Sequence, residues 1–256
     1  MKTQLAVVNH QPFEKPTKTI PAGVVEIVDI WDTIQGEGPL AGTPAVFVRL
    51  AGCNLQCPAC DTDYTSSRRF VTAKQVLAQV KEKDHRIKTA NTRFQDATPR
   101  GWVVLTGGEP FRQPIMPLVK ALVEAGYQVQ IETNGTLAPH PDEINNHVMQ
   151  SVIVVCSPKT GQVAQALQPW VRCLKYVVRA GEIDPEDGLP MNSVLGNGLR
   201  PARPWPFYTG GVWVQPMDEG DGRAVQTKTN AFAAAEVAMK FGYTVSLQLH
   251  KILGLA

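Results

Sequence analysis

The chain has 256 residues, of which 43% are hydrophobic and 19% charged, and this composition fits a folded globular protein and excludes a disordered one. Its 25 basic and 23 acidic residues are spread without a block of like charge, so we expect no nucleic-acid partner and no anionic membrane surface. Apolar runs such as residues 151–156 fall far short of the roughly 20 residues that a membrane-spanning helix needs.

Residues 1–23 mix polar side chains with three prolines and lack the apolar stretch of a secretory signal. We expect a loosely ordered N-terminal extension here, followed by a single domain over residues 24–256. The chain has five cysteines, an odd number, and three of them lie within eight residues. No ordinary disulfide framework has this pattern, which favours the reducing cytoplasm.

Short β-branched or apolar runs predict strands at residues 24–31 and 45–50, separated by a glycine-rich segment. Thr72 is the predicted N-cap of a helix, and two further helices are predicted at residues 114–125 and 231–241. Further strands are predicted at residues 102–105, 127–132, 152–156, 174–178, 212–215 and 243–249. This alternation predicts a parallel sheet with covering helices, closing toward a barrel, with loop insertions at residues 83–100 and 183–211.

The first predicted strands lead into Cys53, Cys57 and Cys60 on one short polar loop. Three thiolates leave one iron of a 4Fe-4S cluster open to a ligand, whereas a structural zinc ion usually takes four protein ligands. A zinc site and a chance group of buried cysteines are the alternatives. Cys156 and Cys173 lie in predicted strands, where core packing is the simpler interpretation.

The spacing of three and then two residues between these cysteines, with Gly107-Gly-Glu-Pro110 after a strand, resembles the radical S-adenosylmethionine (SAM) superfamily. The resemblance implies an α/β fold of the partial (β/α)6 barrel type, one 4Fe-4S cluster and SAM as cofactor. Ala59 departs from the aromatic residue that the superfamily usually has before the third cysteine. The sequence therefore does not predict how that edge of the cofactor is packed.

Four segments, residues 32–38, 47–49, 60–62 and 249–254, resemble the 7-carboxy-7-deazaguanine synthase family. The resemblance implies conversion of 6-carboxy-5,6,7,8-tetrahydropterin to 7-carboxy-7-deazaguanine and ammonia through a 5'-deoxyadenosyl radical, in queuosine or related deazapurine biosynthesis. It also implies Mg²⁺, an electron donor such as flavodoxin or ferredoxin, and a homodimer. The Trp- and Pro-rich stretch at residues 204–213 is a candidate dimer interface.

The resemblance assigns Thr62 to Mg²⁺, although a turn hydroxyl beside Asp61 would be the simpler interpretation of this residue alone. Arg49 presents a planar fork suited to a carboxylate or to a pterin edge, and an outward-facing strand arginine is its alternative. The expected pterin-binding residues are Ile34, Gln35, Gly36, Glu37, Arg49, Thr106, His250 and Ala256. The expected SAM-binding residues are Ala59, Asp61, Gly107, Gly108, Glu109, Ser157, Pro158, Lys159, Gln215 and Met217.

Two other functions use some of the same residues. An activase that makes a glycyl radical on a partner protein would use the three cysteines but would not need the Gln-Gly-Glu-Gly segment or Thr62. A zinc-stabilised binding module would have no redox chemistry, and its thiolates would be colourless.

Overall fold

A computed structural model describes residues 9–17, 19–84, 100–220 and 224–255. The strands are β1 (Val24–Ile34), β2 (Pro44–Leu50), β3 (Arg69–Thr72), β4 (Arg100–Gly107), β5 (Tyr127–Thr133), β6 (Val152–Cys156), β7 (Val171–Val178), β8 (Gly211–Pro216) and β9 (Thr244–Val245). They form one nine-stranded sheet in the order β3-β1-β2-β4-β5-β6-β7-β8-β9. The fold is therefore α/β, built on one large sheet.

From β2 through β9 every neighbouring pair in this sheet is parallel, as the alternating pattern predicts. The first strand differs, because β1 pairs antiparallel with both β2 and β3. A tight connection can join antiparallel strands, whereas a parallel pair needs a long crossover. The loop of residues 35–43, which contains Gly42 with a φ of 88°, supplies the connection between β1 and β2.

The helices are α1 (Ala73–Lys83), α2 (Met116–Glu124), α3 (Asn146–Met149), α4 (Ala224–Phe241) and α5 (Leu249–Leu253). The predicted strand at residues 243–249 is wrong for most of its length, since only Thr244–Val245 pairs with β8. The Leu249 backbone N–H donates to the Gly36 carbonyl at 3.0 Å, so the chain turns away from the sheet and continues as α5.

The main hydrophobic core lies on one face of the sheet, where residues such as Leu105, Ile131 and Leu174 are fully buried. A smaller cluster joins Phe47 and Val104 with the partly exposed Trp31 and other neighbours. Successive strand residues point to opposite faces, so both faces of these strands carry apolar side chains. Among the described residues, no helix has the length and apolar character needed to cross a membrane.

The N-terminal segment differs from the expected loosely ordered extension where the structure describes it. Residues 1–8 and 18 lie outside the described residues, but residues 9–17 run along the cysteine loop. The backbone N–H of Asn9 donates to the Pro58 carbonyl at 3.2 Å, and that of Glu14 donates to the Cys53 carbonyl at 2.7 Å. The hydrogen-bond partners of this segment lie far along the chain, so a local sequence pattern does not reveal them.

The predicted insertion at residues 183–211 connects β7 to β8 and is described throughout. Arg203 pairs with Asp187 at 2.7 Å, and Arg200 pairs with both Asp184 and Asp187. The Ser193 hydroxyl donates to the Lys159 carbonyl, which ties the insertion to the loop after β6. Of the other predicted insertion, residues 85–99 lie outside the described residues.

The predicted N-cap at Thr72 is confirmed as a full capping box. The Gln75 backbone N–H donates to Thr72 Oγ1 at 3.2 Å, and the Thr72 N–H donates to Gln75 Oε1 at 2.8 Å. Replacing Thr72 by Ala should lower the free energy of unfolding by about 1 kcal/mol, because a helix N–H loses its acceptor. Thr72→Ser keeps an acceptor and should lose much less, as urea denaturation can measure. Equal losses in the two variants would contradict the capping role.

Candidate active site

The carboxyl ends of β2 and of β4 to β8 lie at the same edge of the sheet, which we call the rim. On four of these strands the second-to-last residue is polar: Arg49, Thr106, Glu132 and Gln215. Arg49 and Thr106 are register partners and therefore share one face. Ligand sites in parallel α/β sheets form at this edge, so the rim is the candidate site.

Glu37 and Lys175 form a buried ion pair at the rim. Their side chains are 16% and 10% exposed, and Lys175 Nζ donates to Glu37 Oε2. Burial by itself raises the pKa of the Glu37 carboxyl, but Lys175 and a hydrogen bond from Gln248 outweigh it and lower that pKa from 4.5 to about 2. Burial lowers the pKa of Lys175, and Glu37 more than compensates, so that this pKa is raised. Both groups are therefore charged at neutral pH.

Further amides converge on the Glu37 carboxylate. Gln215 Nε2 and Gln248 Nε2 donate to Glu37 Oε1 at 3.3 and 2.8 Å. Gln215, which is predicted to bind SAM, thus lies with a residue that is predicted to bind the pterin. The Ser246 hydroxyl donates to Gln215 Oε1 at 3.3 Å and fixes the orientation of this amide.

Glu132 is the centre of a second polar group on the neighbouring strands. Its Oε1 accepts from Gln35 Nε2 at 2.9 Å and from Gln130 Nε2 at 3.0 Å, and its Oε2 accepts from the Thr106 hydroxyl at 2.9 Å. The structure therefore brings Gln35 and Thr106 together, as the predicted pterin site requires.

Arg49 lies beside Thr106 with its guanidinium over an aromatic ring. Its Cζ is 4.6 Å from the centre of the Trp31 ring, in cation–π geometry. The Arg49 Nε is buried and has no hydrogen-bond partner within the described part of the chain. A buried cationic donor without an acceptor is costly, so Arg49 Nε is available to an acceptor from outside the described residues.

The C-terminal helix α5 closes one side of the rim. A Cβ atom added to Gly36 would lie 2.0 Å from His250 Nδ1, so Gly36 permits the close approach of this histidine. Lys251 Nζ lies 2.6 Å from Asp218 Oδ2 and 3.4 Å from Asp61 Oδ2, which links α5 to the cysteine loop. His250 thus joins the predicted pterin residues. Ala256, which is predicted to line the same pocket, lies outside the described residues.

All three clustered cysteines are free thiols on the loop that follows β2. Burial raises the pKa of Cys53 from 9.0 to about 12, and it also raises those of Cys57 and Cys60. The thiolates of Cys57 and Cys60 contribute to the shift at Cys53, so the sulfurs are near enough to interact electrostatically. Burial raises the pKa values of Cys57 and Cys60, and the positive charge of Lys159 opposes this shift.

Within the described residues, no group of three His, Cys, Asp or Glu side chains is arranged as a ready-made metal site. The chemistry of the donor set nevertheless fits an iron-sulfur cluster, because three soft thiol ligands share one irregular loop. Cys156 and Cys173 are fully buried in β6 and β7, and burial raises the pKa of each. They are core residues, as the sequence predicts.

Gly107 and Gly108 let the loop after β4 pack directly on the backbone leading to Cys53. A Cβ atom at Gly107, whose φ is 126°, would lie 2.1 Å from the Leu50 carbonyl oxygen. At Gly108 it would lie 1.9 Å from the Gly52 carbonyl oxygen. The absence of side chains at both positions is therefore required by this packing, whatever ligand the loop binds.

Glu109 is fully buried and accepts three hydrogen bonds. The donors are Phe111 N at 3.0 Å, Thr133 Oγ1 at 2.8 Å and Asn134 N at 2.7 Å. Burial raises the pKa of Glu109 to about 7, although the hydrogen bonds oppose the shift. Glu109 therefore ties the Gly107–Glu109 loop to the end of β5 and does not face the open rim.

The other predicted residues lie around the cysteine loop and at strand ends. Ser157, Pro158 and Lys159 follow β6 directly, and the Ser157 N–H donates to the Thr133 carbonyl at 2.8 Å. The Met217 N–H donates to the Val178 carbonyl at 2.8 Å. The Thr62 hydroxyl lies 3.5 Å from Asp61 Oδ1, which is the turn contact expected from sequence alone. Ala59 and Ile34 are partly buried in the cysteine loop and at the end of β1.

Glu132, Lys175 and Gln248 also take part in the polar contacts at the rim, although they were not predicted from the sequence as site residues. A charged residue inside an apolar strand was the available signal for Lys175, which lies between Leu174 and Tyr176. For Glu132, the signal was a charged residue at the last position of the predicted strand 127–132. Gln248 carries no such signal, because its role depends on the turn into α5.

No protein-family model matches the chain. A 7-carboxy-7-deazaguanine synthase from Rhodospirillum rubrum is 41% identical over 238 residues, covering 90% of this chain and 92% of the relative. One from Rickettsia prowazekii is 34% identical over 248 residues, covering 94% of each chain. The crystal structure of QueE from Escherichia coli is 23% identical and superposes with a TM-score of 0.61, covering 88% of this chain and 94% of that chain, so the two share a fold.

Removing one partner of the ion pair at the rim should lower the free energy of unfolding. Lys175→Met leaves the Glu37 carboxylate buried without its cation and should lower the free energy of unfolding at pH 7 by about 3 kcal/mol or more. Glu37→Gln in the same chain should restore much of the loss, since no charge then stays unpaired. Urea denaturation of the single and double variants measures this coupling.

The same pair has a predicted pH dependence. The pKa of Glu37 is lowered in the folded chain, so its stabilising effect is complete above the ordinary value of 4.5 and is lost as the pH falls toward about 2. The stability difference between the parent and Lys175→Met should therefore shrink over this interval. A difference that stays constant from pH 7 to 3 would contradict the assignment.

Proposed function

The chain belongs to the 7-carboxy-7-deazaguanine synthase family, and we propose on this premise that it converts 6-carboxy-5,6,7,8-tetrahydropterin to 7-carboxy-7-deazaguanine with loss of ammonia. Identity of 41% over 90% of the chain supports the reaction. The observation in the structure that carries the substrate assignment is the buried, unpaired Arg49 Nε, which suits the carboxylate that this pterin bears.

The polar groups at the rim suit the remainder of the pterin. A pterin ring presents a row of hydrogen-bond donors and acceptors, and the Glu37 carboxylate and the Gln35 amide offer complementary groups. The ion pair with Lys175 holds Glu37 ionised, so it acts as an acceptor toward ring N–H groups. His250 and Thr106 border the same space, and Ile34 and Gly36 belong to the segment that carries Gln35 and Glu37.

The cysteine loop is the proposed site of a 4Fe-4S cluster, with Cys53, Cys57 and Cys60 as its ligands. A cluster with SAM bound supplies the one-electron chemistry that begins a radical reaction. Residues of the chain proposed to contact SAM lie on the cysteine loop and at the ends of β4, β6 and β8, namely Ala59, Asp61, Gly107, Gly108, Ser157, Pro158, Lys159, Gln215 and Met217, whereas the buried Glu109 supports this loop from behind. Lys159 acts electrostatically on Cys57 and Cys60, which supports a position near this cofactor.

Mg²⁺ is proposed to bind at Thr62 together with the substrate carboxylate. Magnesium prefers oxygen ligands and keeps several positions for substrate and water, so one hydroxyl and one carboxylate are a suitable start for its shell. The Thr62 hydroxyl lies beside the Asp61 carboxylate, which would add negative charge near the ion.

Several finer assignments are part of the proposal. The open sheet with edges at β3 and β9 supports a partial (β/α)6 barrel. Phe207 is 98% exposed within residues 204–213, which favours this stretch as a homodimer contact. Free thiols throughout agree with the cytoplasm, where a flavodoxin or ferredoxin would donate the electron and the product would enter queuosine biosynthesis.

Anaerobic assay of reconstituted protein tests the reaction. With dithionite, SAM, Mg²⁺ and the carboxypterin, mass spectrometry should detect 7-carboxy-7-deazaguanine, and Cys57→Ala should abolish it because the cluster loses a ligand. Cys173→Ala removes a buried core thiol and should retain the product, and omission of Mg²⁺ should reduce the rate. Cleavage of SAM without deazaguanine would contradict the substrate assignment and would favour the activase alternative.

Arg49→Lys should test the carboxylate contact. Lysine keeps the charge but loses the planar fork, so KM for the carboxypterin should rise about tenfold, the factor for one weakened charge-assisted hydrogen bond. Arg69→Lys, at an exposed arginine of β3, is the matched control and should leave KM unchanged. An unchanged KM in Arg49→Lys would remove Arg49 from the pterin site.

A further inference from the structure

The N-terminal segment has no part in the proposed reaction, yet it makes ordered contacts with the loop that carries the three cysteines. Residues 9–17, which we call the strap, lie along this loop, and Phe13 forms an isolated parallel bridge with Cys53. Asn9 is only 5% exposed, whereas asparagine side chains are mostly exposed. We propose that the strap positions the cysteine loop and restricts access to its thiols, with Asn9, Gln11 and Glu14 as positioning residues.

Each of these residues acts close to a different cysteine. The side-chain amide of Asn9 donates to the Cys57 carbonyl at 3.1 Å. Gln11 Nε2 donates to the Thr62 carbonyl at 2.7 Å, and the Cys60 thiol lies 3.8 Å from the same oxygen. The Glu14 backbone N–H donates to the Cys53 carbonyl at 2.7 Å.

The strap is itself fixed by contacts that do not involve cysteines. Asn9 Oδ1 accepts from the Gln11 N–H at 2.9 Å, and Gln11 Oε1 accepts from the Tyr64 N–H at 2.7 Å. The loop contacts the strap in return, because Gln56 Nε2 donates to the Gln11 carbonyl at 2.8 Å. These bonds make one network, in which the loss of one amide donor affects the loop locally.

Ion pairs of Glu14 also hold the strap at the start of the cysteine loop. The Glu14 carboxylate pairs with Arg112 at 2.5 Å and with Arg68 at 2.6 Å, and the Arg112 side chain is only 4% exposed. A Cβ atom on Gly52 would lie 2.2 Å from an Arg112 guanidinium nitrogen, so this ion pair packs directly on the residue before Cys53. Glu14 therefore connects the strap to the backbone from which the cysteine loop departs.

The irregular backbone of the cysteine loop explains why contacts from the strap are needed. Inside this loop the Cys60 N–H donates to the Cys57 carbonyl at 3.2 Å, and the strap adds partners from outside the loop that help to fix its shape. The strap does not cover every thiol, since an open surface pocket lies between it and the loop beside Cys60. Cys60 should be the most accessible of the three thiols.

Thiol labelling of the metal-free full-length protein tests the strap without any cluster. Asn9→Asp keeps the acceptor for the Gln11 N–H but removes the donor to the Cys57 carbonyl, and Gln11→Glu removes the donor to the Thr62 carbonyl. N-ethylmaleimide should modify Cys57 and Cys60 about fivefold faster in these variants, the factor for one lost hydrogen bond. Lys15→Ala, at an exposed strap residue, is the matched control and should label like the parent.

Cys156 and Cys173 act as internal reporters, because they are fully buried in the sheet and react only when the sheet opens. Peptide mass spectrometry resolves the five sites. Faster labelling confined to the loop cysteines supports positioning by the strap. Labelling that rises equally at all five, or at none, would overturn it.

The strap proposal rests on the proposed function, in which the cysteine loop is the cluster site. A second readout distinguishes a failure of the strap proposal from a failure of the proposed function. After anaerobic reconstitution, the visible absorbance of the cluster should decay in air several-fold faster in Asn9→Asp than in the parent or Lys15→Ala. If the parent protein takes up no iron and sulfide, the proposed function fails, while the labelling result still decides on the strap. If parent and Asn9→Asp lose their absorbance at the same rate, the strap does not protect the cluster.

Discussion

The buried ion pair between Glu37 and Lys175 is the interaction on which the candidate site depends. Glu37 follows the antiparallel strand β1, whereas Lys175 lies on β7, four strands beyond β2 in the order of the sheet. Their contact brings the glycine-rich segment across the carboxyl ends of the parallel strands. Two buried charges are stable together only because each supplies the counter-charge that desolvation demands. The pair keeps the Glu37 carboxylate ionised and oriented at the rim, where this side chain is 16% exposed.

Around this pair the rim separates into a polar part and a sulfur-bearing part. The polar part consists of side chains near the ends of parallel strands, and its positions follow from strand register. The sulfur-bearing part is an irregular loop, so its position depends on packing by other segments. Gly107 and Gly108 pack on its first residues, Arg112 packs on Gly52, and the strap contacts its carbonyls. The two parts meet where Lys251 of α5 contacts Asp61.

Much of this could be predicted from the sequence, because the determining signals are local. Hydrophobic runs at the right lengths predicted the parallel strands, and Thr72 predicted the start of α1. The three cysteines and the Gln-Gly-Glu-Gly segment identified both parts of the rim. Arg49, which the family resemblance assigns to the pterin site, lies at the rim, and its buried Nε has no acceptor among the described residues.

The rest depends on partners that are distant in sequence. The contact of Lys175 with Glu37 joins residues 138 positions apart, and no local pattern encodes it. The turn into α5 replaces most of the predicted last strand, because Leu249 bonds to Gly36 across the molecule. Residues 9–17 look like a loose extension until their contacts with the cysteine loop are seen. Gly107 and Gly108 likewise match a ligand-binding motif, but their need for glycine arises from backbone packing on Leu50 and Gly52.

A crystal structure of the anaerobically reconstituted protein with SAM and the carboxypterin would test the central claim most directly. The account predicts a cluster on Cys53, Cys57 and Cys60, the pterin at the rim with its carboxylate on Arg49, and Glu37 still paired with Lys175 while it accepts from the ring. A pterin bound away from Arg49 and Glu37, or a metal centre that uses Cys156 or Cys173, would contradict it.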